Sequence, residues 1–192
     1  MTELKNCPSC GRPIKFEEKY ARIMACGYCN SVLEFGEWEL NKVWEQWEFI
    51  DFPSQFIVWK EVDWENKKVY VKGQLRFEYD WGFFDKFFVL IDWKEYYINE
   101  DEWEQKLLID WKWNNSSEWL LDKPVWENVS LFWKEIFVQE SGLFKLSSIK
   151  GFINSDLIPW KEYEYLDWVI NWKIYYFEKE IWADKIRVNK EV

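Results

Sequence analysis

Histidine is absent from this chain and glycine is scarce, with seven in 192 residues. Without histidine, the commonest general base and proton shuttle at neutral pH is missing. Ser-His and Cys-His nucleophile pairs are thereby excluded. No Walker-type or dinucleotide-type glycine motif is present. Basic residues number 25 against 35 acidic ones, for a net charge of −10. Nucleic-acid binding rests on neutralising phosphates with Lys and Arg, so nucleic acid is a disfavoured partner. No apolar run reaches the roughly eighteen residues of a membrane-spanning helix. The start, Met1 to Asn6, lacks the basic-then-apolar pattern of a secretory signal. The expected location is the cytoplasm, where cysteines stay reduced. The acidic run Glu100-Asp101-Glu102 reads as solvated surface. No catalytic or cofactor-binding residue is singled out, and a non-enzymatic role is expected.

The four cysteines are arranged as two C-x-x-C pairs, Cys7/Cys10 and Cys26/Cys29, fifteen residues apart. That spacing is a four-cysteine zinc pattern. Four thiolates close a tetrahedral shell and leave no open position, so the expected role of the zinc is structural. Gly11 and Gly27 stand where a tight knuckle needs an unhindered backbone. Short β signals at 13–16 and 22–25 suit the hairpins of a zinc ribbon. A unit this small gains too little from apolar burial to fold alone. Metal binding, worth roughly 10–16 kcal/mol in small zinc modules, would hold it together. The ribbon's charges are nearly balanced, which favours protein contact over nucleic acid.

Where glycine is scarce, tryptophan is abundant, with seventeen residues. Many stand in turn contexts: Asp63-Trp64, Asp80-Trp81, Asp92-Trp93, Asp110-Trp111, Asp167-Trp168, Asn171-Trp172 and Pro159-Trp160. Asp-Gly, Asn-Gly and Pro-Gly are common turn dipeptides. A residue with a Cβ in the left-handed region costs roughly 1–2 kcal/mol. Seven such turns would cost on the order of 7–14 kcal/mol, comparable to a domain's whole stability. The pattern is explained if the gene uses UGA for glycine and the printed chain translates UGA as tryptophan. Most indoles are then expected at loops or strand ends.

From Gln55 onward, short aromatic and β-branched runs recur with turns about every ten residues, the signature of an antiparallel barrel or sandwich. The run 83–91 is nearly continuous apolar, as a strand covered on both faces would be. The expected fold class is all-β: residues 1–36 a zinc ribbon, 37–54 an extended linker, and 55–192 an all-β domain. Taken literally, Val43, Trp44 and Trp47 would make a helical stripe in the linker; the extended reading is preferred. Residues 55–122 and 123–192 could be two related lobes. Asn114-Asn115-Ser116-Ser117 marks a polar loop between them. Nothing in the sequence assigns an oligomeric state.

With glycine restored, the chain resembles the family known as domain of unknown function 4178. The matching segments are 56–62 (FIVWKEV), 69–75 (VYVKGQL), 83–90 (FFDKFFVL) and 96–100 (YYINE). Ile158-Pro159-Trp160, 175–180 (YYFEKE) and 181–186 (IWADKI) complete the pattern. Trp59, Trp160 and Trp182 match only as glycine. Phe83 or Phe84 departs from the family, where many members have Trp. Some members carry a similar N-terminal zinc ribbon. The resemblance implies a link to membrane stress and no defined activity. The function expected is a protein-interaction module with structural zinc and a protein partner. The alternatives are a glycan- or choline-binding module, suggested by 93–97 (WKEYY) and 172–176 (WKIYY), and a nucleic-acid-binding ribbon.

Overall fold

In the computed structural model the described residues are 3–16, 22–36, 39–46, 49–80, 82–102, 104–110, 122–131, 134–155, 157, 159–181 and 186–192. Among them there is no helix. The ribbon contributes β1 (Glu3–Asn6), β2 (Pro13–Phe16), β3 (Ile23–Ala25) and β4 (Ser31–Phe35), followed by β5 (Leu40–Glu45). Then come β6 (Glu61–Trp64), β7 (Lys67–Tyr79), β8 (Gly82–Ile91), β9 (Lys94–Asp101) and β10 (Glu104–Asp110). The last third holds β11 (Asn128–Leu131), β12 (Lys134–Ile153), β13 (Glu162–Ile170), β14 (Lys173–Glu180) and β15 (Ile186–Glu191).

Eight strands close a ring in the order β7-β8-β9-β10-β15-β14-β13-β12, and β12 pairs back onto β7. The fold is an antiparallel barrel. Residues 55–122 and 123–192 supply four ring strands each, so the two segments close one barrel between them. An eight-stranded barrel has an interior just wide enough for side chains to fill. Period-2 alternation decides which residues enter it. Phe88, Tyr97, Leu108 and Tyr176 lie in the interior cluster. Their neighbours Phe87, Ile98 and Leu107 join an outer cluster beneath Phe56, Val58 and Trp64. This is why β8 is apolar on both faces. A third cluster, including Val138, Trp168 and Phe177, covers the outer face of β12 to β15.

The ribbon is continuous with the barrel. The far end of β12 leaves β7 and pairs with β3, Phe152 opposite Met24 and Ile153 opposite Ile23. At that corner Gly151 faces Gly73 across the ladder. A Cβ on Gly73 would stand 2.2 Å from the Phe152 carbonyl oxygen. One on Gly151, whose φ is +74°, would stand 2.4 Å from the Lys72 oxygen. The segment expected as linker is extended, but it is not free. Its β5 pairs with β4 and widens the ribbon sheet, and Gln46 bonds the backbone of Ile149 on β12 through both ends of its amide.

Two hairpins turn where expected. Asp92 and Trp93 have φ of 49° and 63°; Asn171 and Trp172 have 49° and 64°. Two further Asp-Trp pairs are not turns. Trp64 ends β6, and the reversal falls on Glu65-Asn66, which take the positive φ values of 45° and 61°. Asp167-Trp168 lies inside β13, where burial of the indole overrides turn propensity. Trp81, Trp111, Trp182 and the polar loop 114–117 lie outside the described residues. No helix among the described residues is long and apolar enough to cross a membrane.

Candidate metal centre

The two knuckles repeat one backbone design. In the first, Gly11 N–H donates to the Cys7 carbonyl and Cys7 N–H to the Arg12 carbonyl, both at 2.8 Å. In the second, Asn30 N–H donates to the Cys26 carbonyl and Cys26 N–H to the Ser31 carbonyl, both at 2.9 Å. The residue four beyond each leading cysteine turns left-handed: Gly11 at φ 73° and Asn30 at φ 58°. Asparagine tolerates that region better than most residues. Gly27 therefore does not hold the position the sequence suggested for it. Asn30 does, and Gly27 occupies an open site with nothing near its absent Cβ.

Cys7, Cys10, Cys26 and Cys29 come together, with all four sulfurs within 4.8 Å of one another. Cys7 Sγ lies 3.8 Å from Cys29 Sγ, and Cys10 Sγ lies 3.8 Å from Cys26 Sγ. Disulfide sulfurs would be about 2.05 Å apart, and all four cysteines are free. Four sulfurs placed ~2.3 Å from a central ion stand about 3.8 Å apart along each tetrahedral edge. The donor set and its spacing therefore fit a tetrahedral thiolate metal. Burial is graded: Cys7 and Cys26 are buried, Cys29 partly, and Cys10 is exposed. Burial pushes the Cys26 thiol up to about 12. Burial acts to raise Cys29, but hydrogen bonds with the Ser31 hydroxyl and backbone, and with Cys10 and Cys26, outweigh it and bring the thiol to about 6. The Ser31 Oγ lies 3.3 Å from that sulfur. The site can hold a soft divalent ion as a cross-link between β-hairpins.

Around the centre, Tyr28 at the second knuckle is 62% exposed, with the Arg12 guanidinium 4.8 Å above its ring. A groove of about 500 Å³ separates this knuckle from the barrel, lined by Tyr28, Cys26, Phe49, Trp59, Lys150 and Phe152 among others. The two aromatic segments that suggested a choline cage do not meet. Trp93 and Trp172 are 82% and 98% exposed, on hairpins at opposite ends of the barrel.

A second polar cluster escaped the sequence reading. Asp101, read as solvated surface, lines a cavity in the barrel mouth with Glu140, Asp167 and Glu178. These residues are scattered along the chain, and only ring closure unites them. No family model, curated protein or solved structure matches the chain.

Proposed function

We propose that this is a cytoplasmic, non-enzymatic protein-interaction module in which structural zinc braces a ribbon against a β-barrel. The observation that carries the reading is the sulfur geometry, four cysteine donors spaced for a closed tetrahedral shell. Cys7, Cys10, Cys26 and Cys29 would hold the ion. When bound it supplies a cross-link, with no coordination position left for a substrate. The chain's own residues then do the rest. Tyr28 of the second knuckle lines the groove with Phe49 and Lys150, and Arg12 of the first knuckle stacks over its ring. An exposed aromatic with a stacked arginine suits a protein partner, since such residues are enriched where interfaces are strongest. The acidic net charge speaks against nucleic acid. The family resemblance, with its link to membrane stress, is part of the same proposal.

Metal analysis of purified protein should find one zinc per chain. Affinity purification from the native host with Tyr28→Ala beside the parent chain tests the contact. Loss of a partner with zinc retained supports the reading. An unchanged set of co-purifying proteins would count against it.

A further inference from the structure

One end of the barrel is apolar and closed, where Ile153 packs with Ile23 and Val32 of the ribbon. The other end is polar. It holds a cavity of about 90 Å³, room for roughly three waters at ~30 Å³ each. Four carboxyl groups line it: Asp101, Glu140, Asp167 and Glu178. Two ammonium groups bear on them, and both are taken: Lys86 by Glu178 in a buried ion pair, and Lys106, 5.7 Å from the centre of the Tyr176 ring, by Glu104. No ion pair among the described residues engages Asp101, Glu140 or Asp167. Glu140 accepts instead from a neutral group, the Tyr165 hydroxyl, at 2.7 Å.

Four lining oxygens lack partners, on Asn99, Asp101, Tyr176 and Glu178, and two of these side chains are buried. Tyr176 is 7% exposed and Glu178 is 5% exposed. The Tyr176 hydroxyl and Glu178 Oε2 are buried without a hydrogen bond. Groups of this kind cost free energy unless something satisfies them. The walls are aromatic, with Tyr79, Phe84, Phe144 and Tyr165 among the lining residues. Outside, a shallow depression shares Tyr79 and Asp101 and adds Glu102 and Glu104, so the approach is acidic too.

From this arrangement we infer that the barrel mouth is a binding site for a small primary ammonium ion. Carboxylates and aromatic faces together attract an organic cation. The unsatisfied oxygens call for a cation that donates hydrogen bonds, which a primary ammonium does and a quaternary one does not. A bare metal ion fits poorly. Among the described residues only the four cysteines bring three or more ligand atoms close enough for one. The carboxyl groups are spread around a cavity instead. Burial, and next Glu140, push the Asp167 carboxyl up to about 8. A bound cation would relieve both and draw that proton off. No described lining residue is a tryptophan, so the site does not depend on how UGA is read.

The test is calorimetric titration of the full chain with propylammonium, tetramethylammonium and propionate at one ionic strength. Propylammonium should bind, tetramethylammonium about tenfold more weakly or less, and propionate not at all. Glu140→Gln and Tyr176→Phe should each weaken propylammonium about tenfold or more, the size of one lost hydrogen bond to a charged group. Repeating the titration near neutral pH in buffers of different ionisation heat should show proton release on binding. Absence of binding at millimolar propylammonium, with the cavity holding water alone, would overturn the inference. So would equal binding of tetramethylammonium, or affinity unchanged in both variants. Zinc content measured on the same samples reports on the ribbon, so either reading can fail without the other.

Discussion

Lys86 donates a hydrogen bond to Glu178 across the diameter of the barrel. Lys86 is on β8 and Glu178 on β14, four steps apart in either direction round the eight-strand ring. Both side chains are about 95% buried, and the Lys86 ammonium also lies 5.4 Å from the centre of the Phe77 ring. A buried pair of this kind offsets its own desolvation only while both partners are present. Glu178→Gln should therefore cost about 3–5 kcal/mol. Replacing both residues with leucine should cost less than that single change. Urea denaturation of the three proteins checks the order. A double variant no more stable than the single one would show that the pair's own attraction, and not the orphaned lysine, accounts for the loss.

Asp167 stands opposite Glu140 on β12, at the bulge between Val138 and Glu140, and opposite Tyr176 on β14. Like charges directly opposite each other are destabilising. Burial and then Glu140 raise the Asp167 carboxyl to about 8; Glu178 adds to this, while Lys106 and Lys86 oppose it. In the unfolded chain the same group titrates near 3.8. Between those values the folded protein keeps a proton that the unfolded chain has lost. Stability should then fall as pH rises from about 4 to about 8, by up to ~1.4 kcal/mol per pH unit. Asp101, also raised by burial first, acts in the same direction. Asp167→Asn should flatten this slope and be more stable than the parent at pH ~8. Thermal melts at stepped pH measure both effects.

Five tryptophans among the described residues have φ between 63° and 71°: Trp59, Trp93, Trp126, Trp160 and Trp172. Left-handed backbone disfavours any residue with a Cβ, and a β-turn with φ positive at both central positions asks for glycine. Trp64 differs. It is buried, packs on Phe56, and donates from its indole N–H to Gln105 at 2.8 Å. On the reading of UGA as glycine, genomic DNA should spell the five turn positions TGA and Trp64 TGG. Trp93→Gly and Trp172→Gly should each stabilise the printed chain by roughly 1 kcal/mol. A destabilising effect at both hairpins would argue that the indoles belong there.

The strands and the cysteine site were legible because their signals are local. Alternation shows in runs such as 69–71 and 174–177, and C-x-x-C spacing needs no tertiary context. Ring closure was not legible, because the pairing of β7 with β12 joins segments some seventy residues apart. For the same reason Lys86 and Glu178 looked like ordinary charges, and Asp101 like surface. The corner at Gly73 and Gly151 was equally hidden. Its glycines are needed for close strand approach and not for a turn, and nothing beside them in the sequence says so. Gly73→Ala should be severely destabilising, at least about 2–3 kcal/mol, because the obstructing atom is a backbone oxygen that cannot rotate away. Loss of amide protection at β3 and in the last residues of β12, beyond that in the rest of the barrel, would locate the damage.

Metal removal tests how far the ribbon depends on its ion. Among the described residues, short strands hold the unit: β1 pairs with β2, and β3 with β4. Its apolar cluster is small and includes Cys7 and Cys26 themselves. By contrast, β5 is tied to the barrel through Gln46, and β3 through β12. Chelation should therefore unfold β1 and β2 first and leave the barrel's transition nearly intact. Hydrogen exchange with and without chelator would read this strand by strand. Cys26→Ser should reproduce the effect more fully than Cys10→Ser, because Cys26 is buried and Cys10 is exposed. If the barrel melts together with the ribbon on chelation, the two form one cooperative unit, and the ion stabilises the whole chain.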